Sequence, residues 1–148
     1  MDAFEIGPEF TETLEQVNRK LGFFGANQLT SREVRTVWDF CKFEQGWDPN
    51  SPSAWCAAFS IANHAVLDYY EDLDYYWNMG YGGNTRLFAN MNCQIMQDLL
   101  RFLESDDPND QLARLYSTHS RPLQLFLVTL GVFSGDDTLT RHNFAQQT

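Results

Sequence analysis

The segment Thr118-His119-Ser120-Arg121-Pro122 holds the densest set of side chains able to grip an anion. Proline is favoured in the first turn of a helix, so the residues just before Pro122 fall at a helix N-terminus, where backbone N–H groups lack intrahelical acceptors. An imidazole and a guanidinium placed there would add charge-assisted donors, a combination suited to phosphate or carboxylate. The plainer reading is an ordinary helix start, with Ser120 capping, His119 packing and Arg121 solvated.

Other clusters are weaker. Tyr70, Trp77 and Tyr81 stand in a run with Tyr69, Tyr75 and Tyr76 that would line a pocket for an aromatic ligand, or else form core or interface. Asp68, Glu71, Asp72 and Asp74 offer paired carboxylates, yet a charge run on a helix is usually a solvated face, and no histidine is tied to this one by spacing. Gly80-Tyr81-Gly82-Gly83 lacks the Gly-Lys-Ser/Thr ending of a phosphate loop and reads as a chain reversal. His64 and His142 have no partner at ligand spacing, and no Ser/His/Asp arrangement or Gly-x-Ser-x-Gly elbow can be assembled. Cys41, Cys56 and Cys93 show neither Cys-x-x-Cys nor zinc-type spacing, so no metal and no cofactor is expected. In an oxidising compartment Cys41 and Cys56 are the pair to suspect, since they flank one loop whose closure is worth about 3 kcal/mol; otherwise they are free buried thiols.

The elements that must position these residues are helical. Phe10, Leu14, Val17 and Leu21 recur at the period of one helix face, ending at Gly22. Thr30 and Glu33 have capping-box spacing ahead of a stripe of Val34, Val37, Trp38 and Cys41. The Gln45–Ser53 run reads as loop, with Trp55, Cys56 and Phe59 resuming burial. A long helix follows through Val66, Tyr70, Leu73 and Trp77, another runs from about Asn90 to Leu103, and a last one carries Leu123, Leu127 and Leu130 up to Gly131. Alternation allows at most one short strand near 112–118, and the polar tail 134–148 is expected to fray. The expectation is a mainly α, single compact domain of about five helices in a chain of 148 residues.

Ten Lys+Arg against 20 Asp+Glu give a formal charge of −10, whose field repels nucleic acid and anionic membrane surfaces. A local cationic pocket can still win at short range, so a small anion stays open as a ligand, alongside an aromatic molecule or a protein partner. No stretch approaches the roughly 20 apolar residues of a membrane span, and Met1-Asp2-Ala3-Phe4-Glu5 lacks the pattern of a secretory signal. Oligomeric state is not legible.

Read in order, several segments resemble the multiple inositol-polyphosphate phosphatase branch of the histidine acid phosphatases. They are Asp2-Ala3-Phe4-Glu5-Ile6-Gly7-Pro8-Glu9, Cys41-Lys42-Phe43, Ser53-Ala54-Trp55-Cys56-Ala57-Ala58-Phe59, and Val66-Leu67-Asp68-Tyr69-Tyr70-Glu71-Asp72-Leu73 leading to Tyr76-Trp77-Asn78-Met79-Gly80-Tyr81-Gly82. After them come Asn92-Cys93, Gln97-Asp98-Leu99-Leu100, His119-Ser120-Arg121, Leu130-Gly131-Val132-Phe133 and Leu139-Thr140. The resemblance implies the helical cap of that fold together with the start of its returning catalytic strand, and a secreted or endoplasmic-reticulum setting.

It also implies residue roles. The family's nucleophilic histidine lies in Arg-His-Gly-x-Arg-x-Pro, which nothing in this sequence matches. Its second motif, His-Ala-Glu, falls on His119-Ser120-Arg121, so His119 fits a phosphate contact, while Arg121 cannot act as the proton donor. Asn78-Met79 stands where relatives tend to carry basic residues. The expectation is a catalytically degenerate binding or interaction domain. The alternatives are an excised or split piece of an active phytase-like phosphatase, and a structural or storage protein.

Overall fold

The computed structural model describes residues 2–135 and 138–147. The chain is mainly α-helical, with no strand among the described residues. It divides into two compact units: unit 1 takes the described residues up to Leu73 and those from Thr140 on, and unit 2 runs from Asp74 to Leu139.

In unit 1 a short helix, α1 (Asp2–Glu5), is followed by α2 (Pro8–Leu21) with Pro8 in its first turn. Gly22 ends α2 in the left-handed conformation at φ 79°, where its N–H and that of Phe23 close on the Arg19 and Asn18 carbonyls. Asn18 is buried yet satisfied: its amide donates to the Leu14 and Leu29 carbonyls and accepts from Leu29 N–H at 2.7 Å, which fixes the turn into the next helix. That helix, α3 (Ser31–Trp47), opens with the capping box of Thr30 and Glu33, and these hydrogen bonds hold the Glu33 carboxyl below the usual carboxylate range.

The loop expected from Gln45 begins later than the composition suggests. Helix α3 continues through Gln45 and Gly46 because Asp48 N–H still reaches the Glu44 carbonyl at 3.0 Å, and it stops where Pro49 disfavours helical geometry in Asp48. The Sγ atoms of Cys41 and Cys56 are bonded, joining α3 to the 3-10 turn Trp55–Ala58 across 15 residues. Trp55 is exposed rather than buried, its ring stacked 5.3 Å from that of Phe40. Helix α4 (Ile61–Met79) then starts on Ser60, whose hydroxyl and N–H exchange hydrogen bonds with Asn63, and it crosses the boundary between the units.

Phe4, Phe10, Val17, Val34, Trp38, Leu67 and Leu73 form the most deeply buried side chains of unit 1. The sequence reading of a frayed tail over 134–148 includes Asp136, Asp137 and Thr148, which lie outside the described residues. From Thr140 the chain returns to unit 1. Thr140 caps the turn Arg141–Asn143, its carbonyl accepts from Tyr69 Oη at 2.6 Å, and Phe144 on α8 (Phe144–Gln147) packs its ring 5.8 Å from Phe4 and 5.4 Å from Tyr69.

Unit 2 begins with the end of α4 and the Gly80–Gly83 turn, then α5 (Thr85–Met91), α6 (Cys93–Leu103) and α7 (Ser120–Thr129). Helices α5 and α7 pack together, and Asn92 reaches Thr129 Oγ1 at 2.9 Å. Residues 112–118, where one short strand was allowed, carry no regular structure: extended backbone becomes a strand only when a second segment pairs with it, and Leu112 and Leu115 remain exposed.

Candidate functional site

The N-terminus of α7 lies as the proline predicts, one residue off the expected cap. His119, not Ser120, is the N-cap residue, with extended backbone at φ −124° and ψ 179°, and its side chain makes no capping bond. Its carbonyl accepts the first helical hydrogen bond, from Leu123 N–H at 3.2 Å. Ser120 and Arg121 therefore occupy the first two helical positions, where their N–H groups have no intrahelical acceptor, and Pro122 brings no N–H at all.

His119, Ser120 and Arg121 are all exposed. Tyr75, from the α4 end in unit 2, donates its hydroxyl to Ser120 Oγ at 3.2 Å. A hydroxyl that accepts from Tyr75 keeps its own O–H to give elsewhere. The arrangement supplies an imidazole, a guanidinium, a serine hydroxyl and the positive end of a helix dipole on one solvent-facing corner. Donors of these types suit an anion, and His119, Ser120 and Arg121 themselves bring no carboxyl group.

The aromatic candidates are placed differently. Tyr70 is buried in unit 1, its ring 5.5 Å from Phe10, its hydroxyl accepting from Arg35 at 2.6 Å with the guanidinium 4.7 Å above the ring. Trp77 and Tyr81 belong to unit 2, where they donate to the Leu139 carbonyl at 3.0 Å and the Val132 carbonyl at 2.7 Å. These bonds tie the glycine turn to the chain that follows α7. The turn is glycine because of close packing: a Cβ on Gly82 would lie 2.4 Å from the Tyr76 ring, and one on Gly83 would lie 2.7 Å from the Trp77 carbonyl oxygen.

Of the acidic run, Glu71 is paired with Lys42, and Asp74 accepts from Asn78 at 2.5 Å. The Asp72 carboxyl is pushed up by burial and by the neighbouring Asp68 and Glu71 charges. Among the described residues no group of three or more His, Cys, Asp and Glu side chains is arranged to hold a metal ion.

One cluster was not legible from spacing. Asp98 on α6 accepts from Arg114 and, at 2.5 Å, from Tyr116, with the Arg114 guanidinium 5.3 Å from the Phe102 ring centroid. Those hydrogen bonds, Arg114 first, hold the Asp98 carboxyl below its ordinary range, and the bond to Asp98 raises the Tyr116 hydroxyl above its own. This cluster anchors the irregular segment that leads into His119.

Comparison with known proteins gives the site its context. The chain is 33% identical over 135 residues to multiple inositol polyphosphate phosphatase 1 of Drosophila melanogaster, covering 91% of this chain and 28% of that protein. The proteins of the same name from Gallus gallus and Homo sapiens are 29% and 27% identical, each over 99% of this chain and over 34% and 31% of their own lengths. The chain thus spans about a third of the curated relatives it matches. No solved structure matches it. The family model of the histidine phosphatase superfamily, branch 2, matches residues 5–148, and the chain belongs to that superfamily.

Proposed function

We propose that this chain is a phosphate-recognising helical module of histidine phosphatase descent, which holds a phosphorylated ligand at His119 and Arg121 without cleaving it. The observation that carries the reading is Arg121 at the second position of α7, exposed beside His119, where the resemblance would place the acid of His-Ala-Glu. Phosphoryl transfer to an imidazole needs a nucleophilic histidine and a proton donor for the leaving alcohol. A guanidinium does not give up its proton at any useful pH, but its N–H fork is well shaped to donate two hydrogen bonds to a pair of phosphate oxygens.

The names of the relatives make an inositol polyphosphate the first ligand to try. Because the chain carries a net charge of −10, binding rests on the local corner rather than on the overall field. Calorimetry with inorganic phosphate and with inositol hexakisphosphate tests this. The affinity is expected to fall roughly tenfold or more in His119→Ala and in Arg121→Ala, as for loss of a hydrogen bond to a charged group. Equal heats from wild type and both variants would remove the site.

A second reading is favoured by a separate observation. Helix α6 has an apolar stripe yet fully buries none of its residues, and Leu100, Leu103, Leu112 and Leu115 are exposed, in a chain spanning 28% to 34% of its relatives. In this reading the module joins a segment carrying Arg-His-Gly-x-Arg-x-Pro to form an active phosphatase. Adding such a segment to the pure chain would then restore phosphate release and protect α6 amides from hydrogen exchange. No gain in either would remove this second reading.

A further inference from the structure

Trp38 lies on α3 with 2% of its surface exposed, and its indole N–H must find an acceptor inside unit 1. It finds His64, in the first turn of α4: Trp38 Nε1–H donates to His64 Nδ1 at 3.1 Å. An indole nitrogen can only donate, so this bond exists only while His64 is neutral with its proton on Nε2. Protonation would set an N–H against an N–H and leave a buried donor unpaired.

The surroundings sharpen the effect. The Lys42 ammonium sits 3.6 Å from the Trp38 ring centroid, so a charged His64 would add a second cation beside the same indole. Lys42 is in turn bonded to Asp39 on α3 and to Glu71 on α4, and Asp68 stands four residues after His64 on α4. The turn Trp55–Ala58 and Phe59, whose ring is 5.5 Å from His64, bring no charge. Helix α2 meets the start of α4 with Glu12 and Gln16 on the Asn63 side. Among the described residues no carboxylate makes an ion pair with His64 that would reward its protonation.

We propose that the Trp38–His64 hydrogen bond is an acid-released latch between α3 and α4. Closed, it joins the two helices beside the Cys41–Cys56 bridge; open, it frees the indole from α4 while the disulfide still holds α3 to the Trp55–Ala58 turn. Acid therefore loosens one helix contact of unit 1 rather than unfolding the unit.

The test is proton–nitrogen NMR of the whole chain from about pH 8 to about pH 5, the range in which a histidine changes charge. Trp38 contributes one of the indole signals of the 4 tryptophans and is assigned by Trp38→Phe. His64→Asn serves as the reference, because its side-chain oxygen occupies the place of Nδ1 and does not titrate. Where the His64 ring signals show protonation, the Trp38 indole N–H is expected to exchange on the order of tenfold faster in wild type than in His64→Asn, and at the same rate near pH 8. In wild type alone, the Trp38 indole nitrogen shift should follow the His64 ring signals through one transition, a readout that does not depend on the variant folding. Equal exchange rates after His64 has titrated, or an indole shift that stays still, would overturn the latch.

Discussion

Asp98 shows how single side chains hold the site's approach. Its carboxyl receives hydrogen bonds from Arg114 and Tyr116, which hold it below the usual carboxylate range. A carboxyl depressed on folding stabilises the fold above the unfolded value of about 3.9, and that contribution is lost as pH falls through the folded value. NMR titration of Asp98 is expected to show its midpoint below that reference, with the side-chain signals of Arg114 and Tyr116 shifting in the same acid interval. Tyr116 reports from the other side: its hydroxyl is held up by Asp98, so Asp98→Ala should return the phenol toward about 10 in an alkaline absorbance titration. A Tyr116 midpoint unmoved by the substitution would place the cause elsewhere. His119 and Arg121 make the same point about local chemistry: one residue type at the second position of α7 separates a group that can give up a proton from one that cannot.

Helices are positioned here by a few tight constraints, which can be tested one by one. Replacing Cys41 and Cys56 together with alanine removes a 15-residue cross-link and is expected to cost about 3 kcal/mol in urea unfolding, with α3 and the Trp55–Ala58 turn losing protection first. Gly82→Ala forces a methyl group into the Tyr76 ring, and a loss of about 1–3 kcal/mol is expected for such overpacking; a neutral result would mean the turn can shift at no cost. Features repeating every three or four residues were legible in the sequence as the helices α2, α3, α4, α6 and α7, with the Thr30–Glu33 capping box and the Gly22 and Gly131 stops; the inward face of α7 was not, since Leu123 and Leu130 are exposed and Val128 is the residue buried there. The start of α7 was legible for the same reason, because Pro122 marks it within the chain. What was not legible depends on partners far apart. Tyr75 meets Ser120 across 45 residues, Asp98 meets Tyr116 across 18, and Trp38 meets His64 across 26. The short helices α1, α5 and α8 have too few residues to show a period, and α5 is set instead by Asn84, whose side chain caps it through Leu87 N–H.

At the scale of the molecule, a mainly helical member of the histidine phosphatase superfamily carries twice as many acidic as basic side chains and keeps its candidate phosphate contacts on one corner of unit 2. Unit 1 contains the disulfide and most of the fully buried core, while α6 of unit 2 leaves its apolar stripe without full cover. That contrast is what a recognition module would show if its stability rested mainly on unit 1 and its contacts on unit 2. The measurement that bears most directly on this account is release of inorganic phosphate from inositol hexakisphosphate by the pure chain, followed alongside Arg121→Glu. Binding without release is predicted for the wild type, and placing a carboxyl at position 121 alone is predicted not to start turnover, because nothing in the sequence matches Arg-His-Gly-x-Arg-x-Pro. Phosphate release by the wild-type chain at an enzymatic rate, abolished in His119→Ala, would contradict the account.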